Sequence, residues 1–351
     1  MTTAAPRAYG APPPKEGYTA LAERMTHPAK EGPRGTDTLP VSQELTYTWD
    51  YASKRVDLRA LYEKSKDLMW NARVDLPWDT NVDPEAENTP DETIPIYGTP
   101  VWNKLDLKRD LPRLRRHMAA WMISNFLHGE QGALLATAQI VSSAPTPDAK
   151  LYAAAQVYDE ARHVESYDRY LRDKIELVYP PSPHLRKLLD LILTDPRWDF
   201  KFLGMQIMLE GVALGAFGLI HTVSNEPLIR AITEQIMADE ARHVAFGVVS
   251  LKDTYAGMDP KELREREDFV LESSQLLRDR FLGEEVWERL GLPVKECTEA
   301  VAASAPMALF RKLLFTKIVP NVKRLGLLTP YVRVGFERLG VIEYEHMEPS
   351  A

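Results

Sequence analysis

The pentapeptide Asp-Glu-Ala-Arg-His occurs twice in this chain, at 159–163 and again at 239–243, 80 residues apart. Each copy has a glutamate 30 residues before its own: Glu130 precedes Glu160, and Glu210 precedes Glu240. Glu160 and His163, like Glu240 and His243, stand at i and i+3, so on a helix each pair shares a face and can reach one ion. The midpoint of each 30-residue interval falls in turn composition. The first lies at Pro145 within Ser-Ser-Ala-Pro-Thr-Pro, the second at Asn225 within Ser-Asn-Glu-Pro. Pro147 and Pro227 suit the first turn of a new helix. Each half therefore reads as a helical hairpin with equal arms, which brings the upstream glutamate level with the Glu-x-x-His pair.

Two such hairpins facing each other converge four carboxylates and two imidazoles. This is the donor set of di-iron and di-manganese carboxylate bundles: one Glu from each of two helices and Glu-x-x-His from each of the other two. Hard oxygen donors with two imidazoles suit iron or manganese. A single Glu-x-x-His is ordinarily a solvated helix face. Two identical copies with matched glutamates on apolar helices are not, because four buried carboxylates without a cation would be very costly. The expected metal ligands are Glu130, Glu160, His163, Glu210, Glu240 and His243. Ligating histidines commonly give their second N–H to a carboxylate. Two-fold symmetry places Asp239 to hold His163 and Asp159 to hold His243, with Arg162 and Arg242 neutralising the aspartates. The alternative is that the arginines merely cap surface pairs.

The expected fold class is all-α, a ferritin-like four-helix bundle with additional flanking helices, eight or nine helices in all. Residues 1–45, with Pro12-Pro13-Pro14 and Gly32-Pro33-Arg34-Gly35, read as a disordered or draped arm. Residues 46–340 read as one domain, with a bundle core at about 112–255 and C-terminal helices over 260–340; 341–351 read as a flexible tail. Amphipathic helices are predicted over 53–71, 112–142, 147–178, 184–193, 198–223 and 227–255. Others are predicted over 260–281, 284–290, 298–318 and 331–339. Residues 74–100 lack helical periodicity and read as a long loop over the core.

The net charge of −8 disfavours non-specific nucleic-acid binding. No run of about 18 apolar residues appears, so no membrane span is expected. The amino terminus lacks a basic-then-apolar signal, and Cys297 is the only cysteine, which suits a reducing cytoplasm. Gly211, Ala213, Gly215 and Ala216 around Glu210 either leave room for a substrate or permit close helix packing. Met205, Met208, Phe126 and Phe217 read as core that a cavity would also use. The basic run Lys104, Lys108, Arg109, Arg113, Arg115 and Arg116 reads as a solvated face or as a docking surface for an acidic redox partner.

The stretch Tyr152–His163, together with Gly129-Glu130-Gln131-Gly132-Ala133, resembles the hydroxylase α subunits of bacterial multicomponent monooxygenases, which carry Asp-Glu-x-Arg-His twice. The resemblance covers mainly residues 120–250 and is specific for the ferritin-like, ribonucleotide-reductase-like di-iron superfamily. It implies that Glu130, Glu160 and His163 hold one iron and Glu210, Glu240 and His243 the other, with one or more carboxylates bridging. It implies two iron ions, or a Mn/Fe pair, activating O2 for attack on a small organic substrate, hydroxylation being the leading outcome. It further implies an electron donor of the ferredoxin or reductase type, and superfamily habit suggests a homodimer.

The chain departs from that family at Leu214, where a threonine is typical. Residues 160–167 are also similar to ribonucleotide reductase small subunits, whose radical tyrosine stands where Tyr167 does. That makes a radical-generating or ligand-binding oxidase the alternative; a hydrogen-bonded core tyrosine is the plainer reading of Tyr167. Related di-iron N-oxygenases usually carry a third histidine one turn before the last glutamate, and Ile236 there counts against them. Ferroxidase activity is disfavoured by the extensions beyond the bundle.

Overall fold

A computed structural model describes residues 17–24 and 29–349. The helices are α1 (Tyr18–Arg24), α2 (Val56–Asp67), α3 (Leu107–Ser143), α4 (Pro147–Tyr170), α5 (Pro183–Thr194), α6 (Trp198–Val223), α7 (Pro227–Leu251) and α8 (Pro260–Asp279). Short helices follow over Glu284–Leu290, Val294–Ala303, Ala305–Leu313, Ile318–Arg324 and Pro330–Leu339. Among the described residues no β-strand forms, and the only bridge joins Glu31 to Leu177.

The bundle is built from two hairpins, α3–α4 and α6–α7, with α4 against α7 and α3 against α6. Both turns obey local chemistry. Thr146 caps α4 by accepting from the Ala149 N–H, and Pro147 opens the helix. Glu226 caps α7, accepting from the Leu228 and Ile229 N–H groups at 2.6 and 2.8 Å, and Pro227 opens it. Tyr170 Oη donates to the same Glu226 carboxylate at 3.0 Å, tying the second turn to the first hairpin.

Three boundaries differ from expectation. α3 starts five residues before Pro112, because Asp110 reaches back to the Asp106 N–H at 3.0 Å and stabilises an earlier first turn. Pro112, still near the helix start, removes one internal hydrogen bond. α4 ends its regular turns at Tyr170, continues as a π turn over Leu171–Ile175 and stops at Glu176 with φ 60°. The helix expected over 298–318 is broken. Ser304 is extended at φ −67°, ψ 121° and caps a new helix by accepting from Met307 N–H. The described residues thus hold thirteen helices, or fourteen α-helical segments where the π stretch over Leu203–Leu209 divides α6, more than the eight or nine expected.

The arm expected over 1–45 falls partly outside the described residues, at 1–16 and 25–28. From residue 29 onward it runs without helix along the first hairpin. Thr46 N–H donates to Ser142 O at 2.9 Å, Val178 N–H to Glu31 O at 2.8 Å, and Arg186 pairs with Asp37 at 2.6 Å. The loop between α2 and α3 is not peripheral: Trp70, Ala72, Leu76, Trp78, Ile94 and Ile96 are buried in the core. At the other end, Ile342–His346 forms a turn whose Glu345 is bound by Arg333 at 2.5 Å.

By length and composition α6 is apolar enough to cross a membrane, contrary to the run-length reading, but 67% of that window is buried within the protein. Its apolarity serves the bundle core, where it carries Glu210 inward. Seven residues before that glutamate, Leu203–Leu209, form a π stretch, a distortion frequent at functional positions.

The two hairpins approach closely where Gly247 on α7 faces α6. A Cβ there would stand 2.5 Å from Gln206 Cβ and 3.2 Å from Ile207 Cδ1. Gln206 is wholly buried and cannot swing aside. Gly247→Ala is expected to destabilise the fold by about 1–3 kcal/mol, read as a lower midpoint of thermal or denaturant unfolding.

Candidate metal centre

Six side chains from four helices meet at the middle of the bundle: Glu130 from α3, Glu160 and His163 from α4, Glu210 from α6, and Glu240 and His243 from α7. None is more than 6% exposed. Their ligand atoms form two groups, one of Glu130, Glu160, His163 and Glu240, the other of Glu160, Glu210 and His243, with all atoms of a group within 4.8 Å of one another.

Both imidazoles turn Nδ1 inward. His163 Nδ1 lies 3.3 Å from Glu130, 3.4 Å from Glu160 and 3.2 Å from Glu240. His243 Nδ1 lies 3.2 Å from Glu160 and 3.4 Å from Glu240. Glu160 and Glu240 each give one oxygen to each histidine, so these two carboxylates stand between the halves while Glu130 and Glu210 stand at the ends.

His163 Nδ1 hydrogen-bonds Glu130 at 3.3 Å, but most of these close approaches are not hydrogen bonds. Glu160 Oε2, Glu210 Oε2, both Glu240 oxygens and His243 Nδ1 are buried without a hydrogen-bond partner. Atoms packed this closely but aligned with no donor point at common centres, as ligands of a cation do. Burial and repulsion from Glu240 push the Glu130 and Glu210 carboxyls well above the usual range. Burial acts the same way on Glu160, but the charge of His243 and the close approach of His163 outweigh it and hold that carboxyl low. Burial lowers both histidines, and the surrounding carboxylates overcome it to raise them well above their ordinary value. The residues present therefore fit a pair of hard cations, which would replace the protons these groups otherwise share.

The outward nitrogens cross between hairpins. His163 Nε2 lies 3.1 Å from Asp239 on α7, and His243 Nε2 lies 3.2 Å from Asp159 on α4. Arg162 bonds Asp159 and reaches Asp239 at 3.1 Å; Arg242 bonds Asp239 and approaches Asp159 at 3.6 Å. All four are at most 4% exposed, so these are not surface pairs.

Other groups at the centre carry no motif. Trp70 Nε1 donates to Asp239 Oδ2 at 2.7 Å, its ring stacks 6.4 Å from that of His163, and Arg162 lies 5.0 Å over it. Gln156, one turn before Glu160, donates through Nε2 to both Glu160 and Glu210 at 2.9 Å. Its counterpart in the second half is Ile236, fully buried, so no third imidazole enters. Tyr167 is fully buried beside Phe126 and Phe217, with ring centroids at 5.8 and 6.0 Å. Its hydroxyl has no hydrogen-bond partner, contrary to the plainer reading.

A narrow cavity of about 30 Å³ opens onto Glu130, Glu210 and Glu240 between α3 and α6. The small residues near Glu210 divide between their two expected roles. Ala213 and Ala216 line the cavity, whereas Gly211 and Gly215 sit against Ile318 and Leu314, where a Cβ would come within 3.2 and 3.3 Å. Phe126 and Phe217 line the cavity as well, while Met205 and Met208 are core. Leu214 packs on the core and is not among the lining residues. The basic run is largely spent internally: Arg115 on Asp91 at 2.8 Å, Arg116 on Ile175 O at 3.1 Å, Arg109 on Asp110 at 2.7 Å and Lys104 on Glu296 at 3.3 Å.

Helices, donors and cavity together define a ferritin-like di-metal carboxylate protein, an O2-using oxidoreductase. The family model for p-aminobenzoate N-oxygenase AurF matches residues 52–326, and the chain belongs to that family. It does so without the third histidine whose absence at Ile236 counted against it. No curated protein matches the sequence. Among solved structures, the chain is similar to an R2-like ligand-binding oxidase variant with an anaerobically reconstituted Mn/Fe cofactor. That match has 16% identity, TM-score 0.47, and covers 79% of this chain and 95% of that one. It is also similar to an R2-like ligand-binding oxidase with aerobically reconstituted metal cofactor after photoconversion, at 14% identity and TM-score 0.46, covering 76% and 93%.

Asp239 receives Trp70, Arg162 and Arg242 and faces His163, so its loss strips the orientation of that imidazole. Asp239→Ala is expected to weaken metal retention by about 10–100-fold, measured as metal content after dialysis against graded chelator. Unchanged retention would remove Asp239 from the role.

Proposed function

We propose that this chain is a di-iron oxygenase that oxidises the nitrogen of a small aromatic amine. Glu130, Glu160, His163, Glu210, Glu240 and His243 would hold the metals, Glu160 and Glu240 being the carboxylates that stand between the two histidines. The observation that carries the reading is the apolar cavity that opens directly on Glu130, Glu210 and Glu240 in a chain matched by the N-oxygenase family over residues 52–326. The metals, when bound, supply reductive activation of O2. The chain's own part is to orient His163 and His243 through the crossed aspartates, keep bulk water from the centre, and offer Phe126 and Phe217, whose rings pack edge to face at 4.7 Å, as one apolar wall of the cavity. An Fe/Fe pair is proposed, Mn/Fe being compatible with the same donors. Reducing equivalents come from a ferredoxin- or reductase-type donor, and the setting is a cytoplasmic homodimer.

The anaerobically reduced, iron-loaded protein mixed with O2 and p-aminobenzoate is expected to yield N-oxygenated product by mass spectrometry. Ala216→Phe, which fills the cavity, is expected to cut product at least about tenfold while two metals per chain remain. Ring-hydroxylated product instead would move the assignment to C–H hydroxylation, and fewer than two metals would overturn it.

Tyr167 is not assigned a radical role. One-electron oxidation of a tyrosine at neutral pH sheds a proton, and its hydroxyl has no acceptor among the described residues. Tyr167→Phe is expected to keep product yield within about twofold, with no tyrosyl EPR signal lost. A stable signal present in the parent and absent in this variant would move the assignment to a radical-generating oxidase.

A further inference from the structure

One helix of the bundle carries a polar row that its twin lacks. On α4, Asp148, Tyr152 and Gln156 precede Glu160 at successive intervals of four and are at most 2% exposed, so they follow one ridge of the helix. The same positions on α7, 80 residues on, are Leu228, Ile232 and Ile236, all fully buried. The bundle therefore accepts aliphatic side chains at these places, and packing alone does not call for the polar ones on α4. They are also short of partners. Tyr152 Oη, Gln156 Oε1, Thr137 Oγ1 and both polar atoms of Gln206, which stands one turn before Glu210, are buried with no hydrogen-bond partner among the described residues. Such groups are costly, and ordered water is the usual partner where the protein supplies none. The row has two ends. At the inner one Gln156 Nε2 donates to Glu160 and Glu210, both at 2.9 Å. At the outer one, in the first turn of α4, Asp148 accepts from the Arg55 N–H at 3.3 Å, and the Arg55 side chain is 31% exposed. None of these residues lines the cavity.

We infer that this row holds a file of water that carries protons from solvent at Asp148 to the metal centre, on a route separate from the cavity. Every O2 that ends as one oxygen atom on a substrate and one in water takes a pair of electrons from the donor and a pair of protons from solvent. The centre is dry, so those protons need a path. Neighbours four apart on a helix have Cβ atoms roughly 5–6 Å apart, a step that one water can span. Water and the Tyr152 hydroxyl both donate and accept, so each passes one proton inward as it takes one from outside, and the row ends unchanged. Gln156 and Gln206 do not carry the proton; their free amide atoms hold the innermost water beside Glu210. The inference requires a centre that reduces O2 and holds whichever substrate is oxidised.

Two measurements on the metal-loaded protein test it. The first is thermal unfolding of Tyr152→Phe and Gln206→Met, which remove the unpartnered atoms and nearly keep the shape. Atoms bonded to water are missed when removed, whereas dry ones are better gone, so both variants are expected to unfold at a lower temperature than the parent. A midpoint that holds or rises in either variant would overturn the file. The second is O2 consumption by the reduced protein in H2O and in D2O, with rates taken per bound metal pair. Tyr152→Phe and Asp148→Asn are each expected to slow it at least about tenfold and to raise the H2O-to-D2O rate ratio above that of the parent, as proton delivery becomes limiting. Unchanged rates, or slower rates with an unchanged ratio, would assign these residues to packing and overturn the path. Product analysis with p-aminobenzoate on the same samples separates this inference from the amine reading. Absence of N-oxygenated product with the expected isotope ratios sinks that reading and leaves the path standing.

Discussion

Four carboxylates driven into one dry space are the constraint on which the rest of this molecule depends. Like charges at these separations repel strongly where water is excluded, so the bundle assembles them only if positive charge is assembled with them. Two imidazoles supply part of it, two arginines balance the aspartates behind those imidazoles, and the donor geometry leaves room for two cations to supply the rest. The long α3, the π stretch before Glu210 and the equal arms of both hairpins all serve to bring these groups to one level.

The two halves share a plan and differ in its furnishing. Beside Glu160 stands Gln156, an amide that also grips Glu210; beside Glu240 the same register holds Ile236. One turn after His163 stands Tyr167; one turn after His243 stands Gly247, which lets α7 touch α6. The cavity lies between α3 and α6 and meets Glu130, Glu210 and Glu240 but neither histidine. A near-symmetric metal cradle is thus approached here from its carboxylate side.

Most of the centre was legible in the sequence because its logic is local. The i, i+3 pairing, the 30-residue arms and the turn prolines each follow from helix geometry, and the crossed aspartates follow from symmetry. Groups that reach the site from afar were not legible. Trp70 meets Asp239 across 169 positions, and Arg280 enters the cavity from a turn outside the bundle. No spacing rule links them to the motif. Gln156 is the intermediate case: helical periodicity places it on the ligand face, but an amide there has no signature of its own. The broken helix near Ser304 was missed although Ser-Ala-Pro is a cap signal, because apolar periodicity continues across it.

The crossed aspartate–histidine pairs also bear on how the hairpins find each other. Each pair joins α4 to α7, and the two run in opposite senses, His163 to Asp239 and Asp159 to His243. Sliding one hairpin by a single helical turn would break both together and leave two aspartates and two imidazoles facing apolar neighbours. Misdocked assemblies are thereby penalised twice for one error, and the duplicated pentapeptide acts as a key that fits its lock in one register.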